Sequence, residues 1–450
     1  GMLRAAYAYC GLPAFVSLSM AGSDRVAGLM NLLFTRLRNS SYVRNVLTMF
    51  TGTALAQVIP IAVSPILTRL YGPEQFGVFA IYLGIITMAA VIATGRYEMA
   101  ITLPENEDDS FAVFSLAVLI TLGATFTSFV ATGIWGSEIN GLLGIAPDNP
   151  LVYLIPFGIL TAALFQIFSY WTIYRVRFKH LAAAKIAWSG GIGSSQLTLA
   201  LISQKTGLLV GQITGQAIGV VTLFLSTIKG DLALRRKVDR KALLRIGRIY
   251  RKFPIFSLPA DFINSMASQL PLILLGFYFG TAVAGFYALT LRVLGAPVSL
   301  LGVSVLEVFK ERASRDFRET GSCREIYIKT FKTLSLLAIG PFSLLFFIAP
   351  DLFEIVFGAE WREAGDYTRL LIALYFMRFI SSPLSYVMYI AEKQQVDLIW
   401  QVCLLLVTTA SIVIGGMMGE PKVSIALFAT SYSAMYLTYL GLSYKFSVRS

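Results

Sequence analysis

The sequence is poor in charged residues, in histidine and in cysteine. Only 14% of its 450 residues are charged, whereas a soluble domain carries about 25%. Its one histidine, His180, cannot support a histidine metal cluster. Its three cysteines, Cys10, Cys323 and Cys403, are scattered and form neither a disulfide framework nor a metal-binding spacing. The sequence therefore predicts no metal site.

Motifs of soluble enzymes and molecular motors are also missing. There is no GxxxxGK[ST] phosphate loop, no HExxH zinc motif and no nucleophile elbow. The acidic stretch ENEDDS (105–110) fits a solvated loop better than a metal site. The predicted outer loops are too short to hold a polymerase or glycosyltransferase. We therefore expect no enzymatic activity, and no cofactor other than a coupling ion, H⁺ or Na⁺.

What the sequence has in abundance is apolar residues. They make up 56% of the chain, and the mean hydropathy is +0.70. Too few polar residues remain to cover a water-facing surface, so the composition predicts an all-α multi-pass membrane protein. Runs of about 20 apolar residues span a bilayer. Twelve such runs are predicted, at 45–69, 76–95, 111–133, 150–174, 182–204, 206–228, 254–279, 281–308, 327–349, 367–391, 396–418 and 422–444.

The basic residues are distributed unevenly between these runs. The formal net charge is +12, which in a soluble protein would indicate nucleic-acid binding. Here the Lys and Arg residues concentrate before the first span, after the fourth and in residues 229–253, as the positive-inside rule describes. This alternation places both termini in the cytoplasm and makes membrane lipids, not nucleic acid, the expected surroundings.

The chain also contains an internal repeat. The stretch YGPEQFGVFA (71–80) is echoed by FGTAVAGFYA (279–288), so that Gly72 corresponds to Gly280 and Gly77 to Gly285. Both copies follow an odd-numbered span, and we expect Gly72, Pro73 and Gly77 to supply the geometry of a tight turn. Two copies of six spans predict two six-helix lobes with a pseudo-two-fold axis along the membrane normal.

This repeat sets the predicted domains. Residues 1–40 form an N-terminal extension, either an interfacial or disordered segment or one whose run 5–22 is the apolar region of a signal peptide. The basic linker either lies as an amphipathic helix on the anionic leaflet or remains solvated. The predicted domains are the extension (1–40), the N-lobe (41–228), the cytoplasmic linker (229–253) and the C-lobe (254–450).

Three ionisable residues lie deep in predicted spans. Arg292 is in span eight, Arg378 in span ten and Asp261 in span seven. Such groups cost roughly 2.5–3.5 kcal/mol each on insertion scales, so they usually face a cavity or a partner. For Arg292 we keep two alternatives, which are a role in a cavity and a structural pair with Asp261 or a carbonyl.

Further polar groups lie near the cytoplasmic ends of spans two and four. Arg96 is either an interface marker paired with Glu98 or a guard of a cytoplasmic vestibule. Gln166 and Tyr170 are four residues apart and share one helix face. Such an aromatic face can stack on sugars, or it can belong to an interfacial belt.

These features together resemble a known family. The stretches LTRLYGPEQFGVFAIYLGI and RYEMAITLP, the glycines at 207, 211, 215 and 219, and the basic central loop are similar to those of Wzx-type polysaccharide flippases. Those flippases belong to the superfamily of the MATE drug exporters and the lipid II flippases. The resemblance covers roughly residues 41–450.

The resemblance implies a function. Such proteins move undecaprenyl-pyrophosphate-linked oligosaccharides across the bacterial inner membrane by alternating access, for O-antigen, capsule or exopolysaccharide. Polymerase and chain-length components would be partners. Arg292 and Arg378 would hold phosphate, with Arg96 assisting entry and Gln166 and Tyr170 near the substrate.

Two open points accompany this implication. Asp261 and Glu98 would be the residues that couple transport to an ion. The alternative function is a MATE-type exporter of cationic small molecules, whose cavity should present carboxylates and aromatic residues. Two deep arginines and one aspartate favour an anionic cargo instead.

Overall fold

The computed structural model describes residues 41–147, 149–203, 205–231 and 238–448. The compact unit of the molecule is Thr51–Ser450. The predicted N-terminal extension, 1–40, lies outside the described residues, as does part of the predicted linker, 232–237. Within the described ranges the protein is all-helical, apart from one isolated bridge between Ser322 and Val448.

Twelve long helices, one shorter linker helix and several short helical turns between them form the described structure. The short helix, α7, lies in the linker and connects the first half of the chain (41–228) to the second half (254–450). The helices are α1 (Ser41–Leu70), α2 (Pro73–Ala93), α3 (Glu107–Leu142), α4 (Leu151–Tyr174), α5 (Phe178–Ala200), α6 (Gly207–Leu223), α7 (Arg240–Ile249), α8 (Leu258–Phe279), α9 (Thr281–Thr320), α10 (Arg324–Phe357), α11 (Arg362–Leu384), α12 (Gln394–Met417) and α13 (Pro421–Phe446).

Each predicted apolar run coincides with one long helix. Ten helical segments in the described ranges are long and apolar enough to cross a membrane. Helix α5 is not among them, because its middle is rich in Gly, Ser and Gln. In α9 the described apolar stretch Thr281–Gly295 is counted separately from these ten segments. The chain is therefore a multi-pass membrane protein with ten clear candidate spans in its described part.

Helix α2 is the central helix of the fold. It is apolar on all sides, as is typical of a helix enclosed by others. In its most apolar stretch 67% of residues are buried, against 22% in α1. It packs on α4 from its own half and on α8 and α9 from the other half. The two halves of the chain therefore meet along α2.

Two glycines bring α2 and α9 into backbone contact. A Cβ added at Gly77 would lie 1.6 Å from the carbonyl oxygen of Thr281. A Cβ added at Gly285 would lie 2.1 Å from the carbonyl oxygen of Pro73. Small residues at such positions allow membrane helices to approach closely. Gly77 is therefore a packing residue inside α2, and the prediction that it shapes the turn is wrong.

Helices α2 and α8 run antiparallel. Near the middle of α2, a Cβ at Gly84 would lie 3.3 Å from the Gln269 side chain. Nearer its start, Ile81 lies against Gly276, where a Cβ would be 2.7 Å from the isoleucine. Residue numbers rise along one helix as they fall along the other. This register brings the segment after α2 beside the first turn of α8.

The two repeated helix breaks occur where the sequence predicts them. Gly72 separates α1 from α2, and Gly280 separates α8 from α9. Only Gly280 has a positive φ, of 89°, which favours glycine, whereas Gly72 has a φ of −73° that any residue adopts. The repeated glycines therefore serve different purposes in the two turns.

The linker helix α7 packs on the first half of the chain. The Asp239 carboxylate accepts a hydrogen bond from the Ala242 backbone (2.7 Å) and caps the helix. Ile246 is buried, and the Tyr97 hydroxyl donates to the Gly247 carbonyl at 3.1 Å. The face of α7 that carries Ile246 therefore packs against the first half of the chain.

The glycine contact yields a stability prediction. Gly77→Ala places a methyl group against the Thr281 carbonyl, and such overpacking costs about 1–3 kcal/mol. We expect thermal unfolding of the purified protein in detergent to show a clearly lowered Tm. The control is Gly123→Ala in α3, where no atom lies within 4 Å of the added Cβ; its Tm should stay or rise. Equal Tm values for the two variants would contradict the close contact.

Candidate functional site

The turn after α2 presents a charged side chain toward the second half of the chain. Gly95 and Arg96 have φ values of 58° and 59°, so two consecutive residues adopt left-handed backbone. This conformation is uncommon for a residue other than glycine. The Arg96 backbone N–H donates to the Thr94 hydroxyl at 3.3 Å, which supports the turn. The strained backbone sets the direction of the Arg96 side chain.

Arg96 forms an ion pair across the two halves. Its Nε and Nη2 atoms each lie 2.7 Å from Oδ2 of Asp261, in the first turn of α8. The two residues are separated by 165 positions in the chain. The Asp261 side chain is 34% exposed and that of Arg96 is 15% exposed. The pair is therefore partly shielded from water, which strengthens it relative to a surface pair.

The same guanidinium contacts a second carboxylate. Nη1 of Arg96 lies 3.1 Å from Oε1 of Glu98, whose side chain has 0% exposure. The same oxygen accepts a hydrogen bond from Nε2 of Gln166 (3.0 Å) on α4. Tyr170, one turn further along α4, lies within electrostatic range of Glu98, Arg96 and Asp261. These five residues are called the Arg96 cluster below.

Five of the seven predicted site residues thus come together. The pairing of Arg96 with Glu98, one of the two alternatives for these residues, is present. The structural alternative that paired Arg292 with Asp261 is wrong, because Asp261 contacts Arg96. A sequence pattern could not identify this partner, since the register of α2 against α8 decides it.

Arg292 lies elsewhere, on α9 facing α1. Its Nη1 donates to the Ser64 hydroxyl at 2.8 Å, and that hydroxyl donates to the Pro60 carbonyl at 2.6 Å. Among the described residues no carboxylate lies within ion-pair distance of Arg292. Arg292 therefore connects the two halves through the neutral Ser64 hydroxyl. None of the described carboxylates compensates its charge.

Arg378 on α11 is surrounded by tyrosines of the second half. Its guanidinium lies 5.8 Å from the centre of the Tyr375 ring. The Arg378 side chain is exposed. The hydroxyls of Tyr287, Tyr432 and Tyr436 are close enough to interact electrostatically with its guanidinium. Sequence reasoning missed these tyrosines. The available signal was the four-residue spacing of Tyr432 and Tyr436 on α13, which places both on one face.

Polar contacts also join the halves at the opposite end of α2. The Trp361 indole N–H donates to the Thr68 carbonyl (2.9 Å), and Arg69 donates to the Ile355 carbonyl (3.0 Å). Phe76 packs edge-on against Trp361, with ring centroids 4.9 Å apart. Beside these contacts is a cleft of about 450 Å³. The interface between the halves is therefore held at both ends.

A buried carboxylate organises the loop after α4. Asp231 accepts hydrogen bonds from the Trp171 indole (3.0 Å), from Arg175 (2.8 Å) and from Arg177 (3.2 Å). It is 5% exposed. The sequence explains these two arginines only by the positive-inside rule. In the structure they also connect the segment after α4 to the segment after α6 through Asp231.

The bundle defines a multi-pass membrane protein, and solved structures share its fold. Lipid II flippase MurJ, in an inward closed conformation, matches with TM-score 0.70 and 15% identity, over 90% of this chain and 87% of that chain. An inward-facing multidrug resistance MATE family transporter of the MOP superfamily matches with TM-score 0.63 and 12% identity, over 88% and 97%. At these identities the likeness shows the fold alone.

Sequence comparison identifies the family. Residues 66–366 match the family model described as "Polysaccharide biosynthesis protein". The match covers more than half of the chain, so the chain belongs to this family of polysaccharide biosynthesis proteins. The succinoglycan biosynthesis transport protein ExoT of Rhizobium meliloti (strain 1021) is 24% identical over 321 residues, which are 68% of this chain and 60% of that protein. This chain spans about 60% of the length of that relative.

The Arg96 cluster yields a second prediction. Arg96→Met removes the cation that Glu98 and Asp261 share and leaves the Asp261 carboxylate without its partner, and breaking a buried pair in this way costs at most about 3–5 kcal/mol. We expect a clear fall in Tm, most of which the double variant with Asp261→Asn recovers.

The matched control is Arg315→Met, which removes an exposed pair with Glu311. It should leave the Tm unchanged, because exposed pairs contribute little. Additive losses in the double variant, with no recovery, would show that Arg96 does not compensate Asp261.

Proposed function

We propose that this protein moves a lipid-linked oligosaccharide from the cytoplasmic to the outer leaflet of the bacterial inner membrane. The observation that carries the proposal is Arg292, whose guanidinium lies in α9 with only the neutral Ser64 hydroxyl as a described polar partner. An uncompensated cation at membrane depth favours an anionic ligand. Guanidinium also matches the oxygens of a phosphate group. In a polysaccharide biosynthesis family, an undecaprenyl-pyrophosphate headgroup supplies that charge.

The proposed architecture has twelve spans in two lobes. Helix α5 has 23 residues, enough to cross a bilayer. Its Gln196 side chain donates to the Leu208 carbonyl of α6 (3.0 Å), where Gly211 allows close contact. Gly77 and Gly285 correspond in the internal repeat and pack against each other. Two residues related by a two-fold axis can contact each other only if both lie near that axis. The contact between these two glycines therefore supports the proposed symmetry. The distribution of Lys and Arg supports placing both termini in the cytoplasm.

The transport mechanism we infer is alternating access. A sugar–pyrophosphate headgroup cannot cross hydrocarbon bare, because its polar groups would lose their hydrogen bonds. Contacts at the two ends of α2 hold the halves together, by Arg96 and Asp261 at one end and by Trp361 and Thr68 at the other. Opening one end at a time would expose the headgroup to each side in turn. The lipid tail would remain in the bilayer.

Other predicted site residues take roles in this proposal. Arg378 and its tyrosines would contact phosphate or sugar, since tyrosine rings stack on sugars and guanidinium binds phosphate. Gln166 and Tyr170 would line the entry beside Arg96. Asp261 and Glu98 would couple transport to H⁺ or Na⁺. Polymerase and chain-length components of polysaccharide assembly would receive the product as partners.

The second candidate function is a MATE-type exporter of cationic small molecules. The Arg96 cluster favours it in one respect, because it combines two carboxylates with the aromatic ring of Tyr170. Expression in a strain that lacks drug exporters distinguishes the two functions. Raised resistance to cationic drugs would support the exporter, and unchanged susceptibility would support the flippase.

The third prediction concerns Arg292. In a strain lacking this gene, Arg292→Ala should fail to restore surface polysaccharide, because the phosphate would lose its cation. Ser64→Ala removes the hydrogen bond to Arg292 but keeps the charge, so it should restore polysaccharide to near the normal level. Membrane expression of both variants is measured in parallel. Normal polysaccharide with Arg292→Ala at normal expression would refute the assignment.

A further inference from the structure

The Glu98 carboxyl group has one oxygen that receives no hydrogen bond. Oε1 accepts from Arg96 (3.1 Å) and from Gln166 (3.0 Å). Oε2 is buried and has no partner among the described residues. The Thr94 hydroxyl, which also faces this group, donates to the Val91 carbonyl (3.4 Å). A buried polar atom without a partner is unfavourable unless something else binds it. A proton on Oε2 would neutralise the group.

The charges of the cluster do not balance. One guanidinium, that of Arg96, contacts two carboxylates, those of Glu98 and Asp261. The cluster carries a net charge of −1 if both carboxylates are ionised and is neutral if one of them holds a proton. Excess charge in a partly buried site is unfavourable because water is excluded from it. The arrangement therefore favours one proton.

The structure indicates which carboxylate takes the proton. Glu98 is fully buried, whereas Asp261 is 34% exposed and keeps contact with water. Desolvation disfavours the charged form most strongly at the buried group. Burial raises the pKa of Glu98 above its ordinary value, although Thr94 and Arg96 oppose the shift. Tyr170, from α4, is a further titratable group within the cluster.

We propose that Glu98 is a proton-binding site, occupied when Arg96 pairs with Asp261 and empty when that pair opens. When Asp261 moves away with α8, Arg96 and Glu98 remain in the first half as a single ion pair. That pair is neutral only if Glu98 is ionised, so opening releases one proton. Closing the pair takes one proton up. Glu98 and Asp261 thus have different roles, the first binding the proton and the second forming the latch between the halves.

The direction of the pH dependence follows from this difference in bound protons. The closed state holds one proton more than the open state, so lowering the pH favours the closed state. The ratio of closed to open molecules changes by up to about tenfold per pH unit between the two pKa values of Glu98. The role of this proton in transport rests on the proposed flippase function, whereas the proton-binding site at Glu98 is argued independently of that function.

The experiment measures the separation of the halves in the full-length protein without substrate. Spin labels are attached at Glu105→Cys and Phe256→Cys, two exposed positions beside the cluster, after replacement of the native cysteines. Their separation in lipid nanodiscs is measured between pH 5.5 and 8.5. We expect it to increase as the pH rises. Glu98→Gln should keep the short separation at every pH, and Asp261→Asn should show the long one.

The matched control is Glu107→Gln, which removes a carboxylate from Arg175 within the first half of the chain. It should follow the pH dependence of the unchanged protein. The proposal is overturned if Glu98→Gln retains that dependence, if the separation is the same at every pH, or if Na⁺ at constant pH replaces the effect of protons. Because no substrate is present, these outcomes are independent of whether Arg292→Ala abolishes polysaccharide production.

Discussion

The close approach of α2 to α8 and α9 is the contact on which the rest of the structure depends. Glycines at positions 77 and 285 allow the backbones of α2 and α9 to touch, so the two halves of the chain share one central helix. In a membrane this contact relies on van der Waals packing, because lipid tails are as apolar as the side chains they replace. The polar side chains at each end of α2 find partners in the other half because this register is set.

The polar contacts between the halves are few, and their chemistry differs at the two ends. At one end a guanidinium joins two carboxylates, and at the other an indole and a guanidinium donate to backbone carbonyls. An ion pair responds to protonation of its carboxylate, whereas a hydrogen bond to a backbone carbonyl does not. In the proposed transport cycle, opening of the end that carries Arg96 would be sensitive to protons and to the phosphate of the substrate. The end that carries Trp361 depends mainly on packing.

Sequence reasoning identified all five residues of the Arg96 cluster but only part of their arrangement. Arg96, Glu98 and Asp261 stand out because ionisable groups are rare in apolar sequence. The pairing of Arg96 with Asp261 spans 165 residues and depends on helix register, which periodicity does not encode. Among the described tyrosines near Arg378, none was predicted, because a tyrosine in an apolar helix is usually a packing residue. Gly77 was predicted as a turn residue because its neighbours Gly72 and Pro73 are turn formers.

Composition alone determined that this chain is an all-helical membrane protein, because a chain with so few charged residues cannot cover a surface in water. The spacing of apolar runs determined where the helices lie, since each run must satisfy its backbone hydrogen bonds internally. Only the tertiary structure decided which charges meet. Two residues come within hydrogen-bond distance when helices distant in the chain pack in one register, and the close approach at Gly77 and Gly285 sets that register.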